Sequence, residues 1–285
     1  MSVPSRDIRF VDVDGVRLRI CVSGAAGSGP PLLLITGIGA SLDLAAPFEC
    51  ELNRRGVRTI SYDAPGVGES TSYAWPRRMP GVARTAERLL DALGHDRVDV
   101  FGVSLGGVIA QQLARQAPAR VRRLVLAATG PGLGGVPGSP RVLWALATPR
   151  RYYQPDYYRR IAADIYGGTA RRDPDALLHG SLARFTHRPT VRGYAAQMYS
   201  IAGWTSVPWL CRLRQPTLVL AGNDDPIVPL INGRILAWLI PDSHLQVIPG
   251  GGHLFVLEHP DAIAAQVSDF LAAADASANG RSAPA

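Results

Sequence analysis

Two hydrophobic patterns divide the chain. In Ile8–Val13 and Val16–Val22 charged and apolar residues alternate, and Asp14-Gly15 sits between the two runs. Period-two alternation across a tight Asp-Gly turn predicts an antiparallel hairpin with one face exposed. The next six apolar runs are more continuous: Pro31–Thr36, Val57–Tyr62, Arg97–Val103, Val121–Ala127, Pro216–Gly222 and His244–Pro249. Such strands are buried on both faces. Helical periodicity separates them, over Leu44–Arg55, Gly81–Leu93, Leu105–Ala117, Leu230–Leu239 and Asp261–Ala273. The alternation predicts an α/β architecture: an eight-stranded, mostly parallel sheet with helices on both faces and its sites at the strand C-terminal ends.

One interval breaks this rhythm. Almost ninety residues separate Ala127 from Pro216, far more than a crossover needs. Residues 131–212 hold eleven of the chain's twenty aromatics, among them Tyr152, Tyr153, Tyr157 and Tyr158. This segment is read as a helical cap inserted over the C-terminal edge of the sheet. Most of its rings are expected to form the cap's own core and its seat, because a small insertion needs bulky side chains, each burying about 150–250 Å². The expected division is residues 1–130 and 213–271 for the sheet domain and 131–212 for the cap. Residues 272–285, AAADASANGRSAPA, lack apolar periodicity and are expected to be a disordered tail.

Composition narrows the chemistry. The chain has no lysine, so all 30 basic residues are arginines. Schiff-base chemistry, a phosphate-loop lysine and a Ser-Lys dyad are thereby excluded. The net charge of +7 is spread among acidic residues, which reads as a solvated surface and not as a nucleic-acid interface. Cys21, Cys50 and Cys211 are odd in number and lack metal-ligand spacing, so neither a disulfide framework nor a metal site is expected. The first ten residues, MSVPSRDIRF, lack the apolar core of a signal peptide, and no run resembles a membrane span. A cytoplasmic protein is expected.

Gly102-Val-Ser104-Leu-Gly106 stands between a predicted strand and a predicted helix. A small-x-Ser-x-Gly turn there is so sharp that its flanks tolerate no side chain, and it lifts the serine hydroxyl above the sheet edge. A nucleophilic serine needs a base, an orienting acid and oxyanion donors. His253 follows a strand in a glycine run that leaves its ring access to the site, and it is chosen over the five other histidines. Asp225 follows another strand end and is chosen as the acid over its neighbour Asp224, which is expected to face outward or to bond its own turn. Sequence gaps of 121 and 28 residues are no obstacle, since all three stand at strand ends along one edge. The oxyanion donors are expected to be the backbone N–H groups of Leu105 and of Ile38, the latter in the run Thr36-Gly37-Ile38-Gly39. The tight turn from Asp63 to Gly68 is read as scaffold.

With these residues in place the chain resembles an α/β-hydrolase, and more narrowly an intracellular depolymerase of medium-chain-length poly(3-hydroxyalkanoates). The narrower resemblance lies in ITGIGAS (35–41), VPGSPRVLWALATPRRYYQP (136–155), IYGGTARRDP (165–174), GWTSVPWL (203–210) and QPTLVLAGNDDPIVPLIN (215–232). Several of these runs lie in the cap, where hydrolases diverge. The chain departs from the family pattern at Thr36, Leu105 and Gly251. The resemblance implies a triad of Ser104, Asp225 and His253 that cleaves ester bonds through an acyl-enzyme, with no metal or organic cofactor. It also implies a polyester granule or another hydrophobic ester as substrate. The alternatives are a soluble carboxylesterase, a 3-hydroxyacyl acyltransferase and a non-catalytic granule-surface protein. Rings and the arginine pairs Arg150-Arg151, Arg159-Arg160 and Arg171-Arg172 are expected to present the cap to a granule. Neither the oligomeric state nor the preferred side-chain length is legible.

Overall fold

Asp14 and Gly15 both take positive φ, 49° and 77°, and turn β1 (Arg6–Val13) directly into β2 (Val16–Ser23). This is the backbone of a two-residue hairpin whose twist matches its strands. In the computed structural model, which describes residues 6–25, 29–173 and 182–279, six further strands complete the sheet. They are β3 (Leu32–Ile35), β4 (Thr59–Tyr62), β5 (Val98–Val103), β6 (Val121–Ala127), β7 (Thr217–Gly222) and β8 (Ser243–Ile248). Their order is β1-β2-β4-β3-β5-β6-β7-β8, antiparallel up to the β2–β4 pair and parallel from there on.

Period-two alternation sends the central strands' side chains into two separate cores. Leu33, Ile35, Val100, Leu124 and Leu126 face α2 (Met79–Ala92), α3 (Leu105–Gln116) and α9 (Leu230–Leu239). Leu32, Leu34, Phe101, Val125 and Ala127 face α1 (Ala46–Arg54), α10 (Phe255–Glu258) and α11 (Pro260–Asn279). Burial on both faces explains why these strands read as continuous apolar runs.

Between β6 and β7 the chain forms short helices: α4 (Pro140–Leu146), α5 (Pro155–Tyr166), α6 (Gly168–Arg172), α7 (Leu182–Thr186) and α8 (Val191–Ile201). Tight 3₁₀ turns lie at Pro149–Tyr152 and Val207–Arg212. Ser139 and Thr190 start α4 and α8 by accepting from the N–H groups of Val142 and Gly193. Tyr158, Ala162, Ile165, Tyr166 and Ala170 form a small core of their own with Val142 and Ala145.

One expectation is corrected here. α11 continues to Asn279, eight residues into the segment read as a disordered tail. Its run AAADASAN has no apolar stripe, but alanine is the strongest helix former and carries the helix onward. In the segment between β6 and β7 most rings turn inward, as their bulk suggested, and one arginine of the three pairs goes with them. Tyr152, Tyr158, Tyr166, Tyr194 and Arg151 are all buried, whereas Trp144 is 83% exposed.

Candidate active site

β5 delivers Ser104 at φ 55° and ψ −119°, a conformation costly for a residue with a Cβ. The surroundings hold it there. Ser104 N–H donates to the Ala127 carbonyl at 3.0 Å. Its own carbonyl accepts from Gly107 N–H at 2.9 Å and from the Thr129 hydroxyl at 2.8 Å. The flanking glycines are dictated by contact. A Cβ on Gly106 would lie 2.0 Å from the Ile35 carbonyl oxygen, and one on Gly102 would lie 2.4 Å from that of Gly106.

The structure brings the predicted acid, base and nucleophile into one hydrogen-bonded line. His253 Nε2 is 3.0 Å from Ser104 Oγ, and Nδ1 is 2.8 Å from Asp225 Oδ2. Asp225 Oδ1 accepts from the Ile227 and Val228 N–H groups, both at 2.9 Å, so the second oxygen is turned onto the imidazole. A carboxylate accepts only, which places the proton on Nδ1 and leaves Nε2 as the acceptor facing the serine hydroxyl. Asp225 and His253 are both buried.

Asp224 has a different job from the one expected. Its Oδ2 accepts from Gly168 N–H at 2.8 Å and its Oδ1 from Arg171 Nη1 at 2.6 Å, latching α6 to the end of β7. The glycines before His253 also serve close packing rather than ring access. A Cβ on Gly252 would meet the Tyr166 carbonyl oxygen at 2.2 Å, and one on Gly222 would meet that of Gly251 at 2.2 Å. His253 N–H then donates to the Tyr166 carbonyl at 2.7 Å, so the end of α5 supports the loop that carries the base.

The Thr36–Ala40 loop passes beside the nucleophile, where a Cβ on Gly37 would lie 3.3 Å from that of Ser104. Thr36 Oγ1 donates to the Ala40 carbonyl at 2.8 Å and closes the turn. The cap grips the peptide between Ile38 and Gly39 from both sides. Tyr152 donates its hydroxyl to the Ile38 carbonyl at 2.6 Å, and Gln197 Oε1 accepts from Gly39 N–H at 2.8 Å. Leu105 opens α3, where the first N–H groups have no intrahelical acceptor. Asp63 takes no part in this hydrogen-bonded line: buried, it accepts from Leu42 N–H at 2.7 Å and from Arg19 at 3.3 Å.

Ser104, His253 and Ile38 line a cavity with about 810 Å³ of space free of atoms, part of it open to solvent. Its walls are mainly apolar, including Leu34, Leu44, Phe48, Phe101 and Val256. Among the described residues no group of three or more His, Cys, Asp or Glu could hold a metal ion. Likewise, no described helix is long and apolar enough to cross a membrane.

A family model described as the alpha/beta hydrolase fold matches residues 30–260. The chain belongs to the α/β-hydrolase family. It is 46% identical to a poly(3-hydroxyalkanoate) depolymerase of Ectopseudomonas oleovorans, over 92% of each chain. It is 30% identical to a 2-hydroxy-6-oxo-6-phenylhexa-2,4-dienoate hydrolase of Burkholderia cepacia, covering 87% of this chain and 89% of that one. Among solved structures, the enol-lactonase of Burkholderia xenovorans LB400 superimposes with a TM-score of 0.79 at 25% identity, covering 92% of this chain and 99% of that one. The chain is thus an ester hydrolase of this family.

Several residues at this site escaped the sequence reading. Tyr152, Gln197 and the Tyr166 carbonyl lie on the cap, 87 to 158 positions from the residues they touch at the site. No local pattern marks such contacts. Thr129, two residues past the end of β6, was the one legible by position, since strand ends line the site edge.

Proposed function

We propose that this hydrolase cleaves the ester bonds of medium-chain-length poly(3-hydroxyalkanoate), with Ser104, His253 and Asp225 as its triad. His253 Nε2 takes the Ser104 proton as Oγ attacks the ester carbonyl. The Ile38 and Leu105 N–H groups bind the oxyanion, each such donor being worth roughly 10²–10³ in rate. Asp225 holds the imidazole in orientation and stabilises its charged form. The tetrahedral intermediate collapses to an acyl-enzyme, and His253 gives its proton to the departing alcohol. Water, activated by the same base, then releases the acid.

The observation that carries the reading is the Ser104–His253–Asp225 hydrogen-bonded line opening into a large apolar cavity. The 46% identity to a named depolymerase supports the polymer as substrate. An exposed apolar group on the cap, with Leu143 and Trp144 on α4 and Leu133 and Val136 before it, suits contact with an insoluble polyester at a cytoplasmic granule surface. Such rings can lie on polymer or lipid while nearby guanidinium groups stay hydrated.

The test is a panel of insoluble medium-chain polyester, short-chain polyester and p-nitrophenyl esters, assayed with wild type, Ser104→Ala and a Leu143→Ser/Trp144→Ser variant. Ser104→Ala should fold and lose about 10⁴-fold or more on every substrate. The cap variant should lose severalfold on the medium-chain polymer and little on soluble esters. Turnover of soluble esters alone would replace this reading with that of a soluble carboxylesterase.

A further inference from the structure

Two arginines are buried in the wall of the catalytic cavity, Arg151 on the turn after α4 and Arg184 on α7. They are 2% and 3% exposed. Their guanidinium carbons lie 4.8 and 5.1 Å from the centroid of the same ring, Tyr152. Among the described residues neither has a carboxylate within ion-pair distance. Buried arginines are ordinarily paired with an anion, because removing a lone cation from water is unfavourable.

The partners present are neutral. Arg151 Nη1 donates to the Tyr194 hydroxyl at 2.8 Å and to the Thr148 carbonyl at 3.4 Å, and Arg184 Nη1 donates to the Tyr166 hydroxyl at 3.3 Å. Burial pushes the Tyr194 phenol up to about 12, so that group carries no charge at neutral pH. The Nε of each arginine is buried and has no hydrogen-bond partner among the described residues. Ring faces offset part of the desolvation. Two like charges flanking one ring still leave the cavity wall positive.

We propose that Arg151 and Arg184 form a carboxylate-binding subsite of this cavity, one that takes the free acid end of a 3-hydroxyacyl chain. This deepens, and rests on, the polyester reading. The anion must arrive on an apolar body, because the remaining walls are mainly aliphatic and aromatic. A guanidinium fork matches a carboxylate in bidentate geometry. In a poly(3-hydroxyalkanoate) the terminal carboxylate is carried by the alcohol half of the last ester bond. Cleaving that bond transfers the rest of the chain to Ser104 and releases a 3-hydroxy acid, whose alkoxide oxygen takes the proton from His253. Chains are therefore trimmed from their carboxylate end, and the released acid competes for the subsite.

Two ester dimers of 3-hydroxyoctanoate, one with a free carboxylate and one capped as the methyl ester, test this directly. Wild type should favour the free acid at least tenfold in kcat/KM, mostly through KM. Arg151→Met and Arg184→Met should bring that ratio close to one. Equal use of both dimers by wild type, or an undiminished ratio in folded variants, overturns the subsite. Should the variants fail to fold, inhibition of wild type decides. Octanoate should inhibit at least tenfold more strongly than octanamide, and parity refutes the proposal. Calorimetry with Ser104→Ala separates the two readings. Octanoate bound in preference to octanamide keeps the subsite even if no polyester is cleaved, whereas polyester cleavage without that preference removes the subsite alone.

Discussion

The sheet domain and the cap bury charge in opposite ways. In the sheet domain, Arg19 meets Asp43, Asp63 and Glu69, and Arg122 meets Asp99 through two short bonds of 2.8 and 2.6 Å. Glu49 accepts from the Ser61 and Thr59 hydroxyls at 2.9 and 3.0 Å and from Arg6 at 3.4 Å. In the cap, Arg151 and Arg184 lie on aromatic faces instead. A domain that must be stable unaided pairs its buried charges with opposite ones, since a half-satisfied network is worse than an apolar core. A cap seated on that domain can leave polar groups directed at a cavity. Substitutions in the charge networks of the sheet domain should therefore be read in stability, and those in the cap in turnover.

The largest effect that could break this contrast concerns two adjacent aspartates. Asp225→Asn should lower kcat by about 10³–10⁴, because the amide disfavours the imidazole tautomer and cannot stabilise its cation. Asp224→Asn should cost less than tenfold, while proteolysis between β6 and β7 becomes faster as the latch to Gly168 and Arg171 weakens. Comparable losses in kcat from the two purified, folded variants would mean that the latch belongs to the catalytic machinery and that the division fails.

A smaller effect would sharpen the contrast from the cap side. Tyr152→Phe removes the hydroxyl that holds the Ile38 carbonyl but leaves the ring in contact with both arginines. The peptide behind one oxyanion donor is then less constrained. We expect kcat to fall about three- to tenfold with KM little changed, because a positioning contact acts where the transition state develops charge. A change confined to KM would assign Tyr152 to substrate binding.

The smallest effect lies in the sheet domain. Burial raises the Glu49 carboxyl above its ordinary value of 4.5, against the opposing pull of Arg6, Ser61 and Thr59. A raised acid holds its proton more tightly when folded. Its contribution to stability is therefore fully present below 4.5 and declines as pH rises through the folded value. Glu49→Gln mimics the protonated form. Melting temperatures followed from pH 4 to 8 should show wild type losing ground to the variant by roughly a few degrees before the difference levels off. A flat difference would mean that the hydrogen bonds outweigh burial. Turnover at neutral pH should be unaffected.

The sheet was legible because its information is local. Two-sided burial imposes apolar runs on β3, β5, β6 and β7, and a single Asp-Gly pair betrays the β1–β2 hairpin. The elbow was legible for the same reason, since a Cβ on Gly102 would strike the Gly106 carbonyl within the same turn, although Gly106 itself is held free of a Cβ by Ile35 of the neighbouring strand. Strand ends on one sheet edge sufficed to propose Asp225 and His253 across long gaps, because a parallel sheet brings all its strand C-termini to one rim. The helical extension past Ala273 was missed because alanine carries helix propensity without marking any buried face.

What the sequence by itself determined is thus the layered α/β sheet, the Ser104 turn and the residue types at each strand end. Tertiary structure alone decided what Asp224 does, because its turn faces Arg171 and Gly168 while that of Asp225 faces His253. It alone decided that Arg151 is buried while Arg150 is exposed, and that Tyr152 reaches back to Ile38. The physical reason is range. Strand patterning and tight turns are set by forces between residues a few positions apart, whereas the partners of a cap side chain are chosen by how short helices settle onto the rim of a finished sheet.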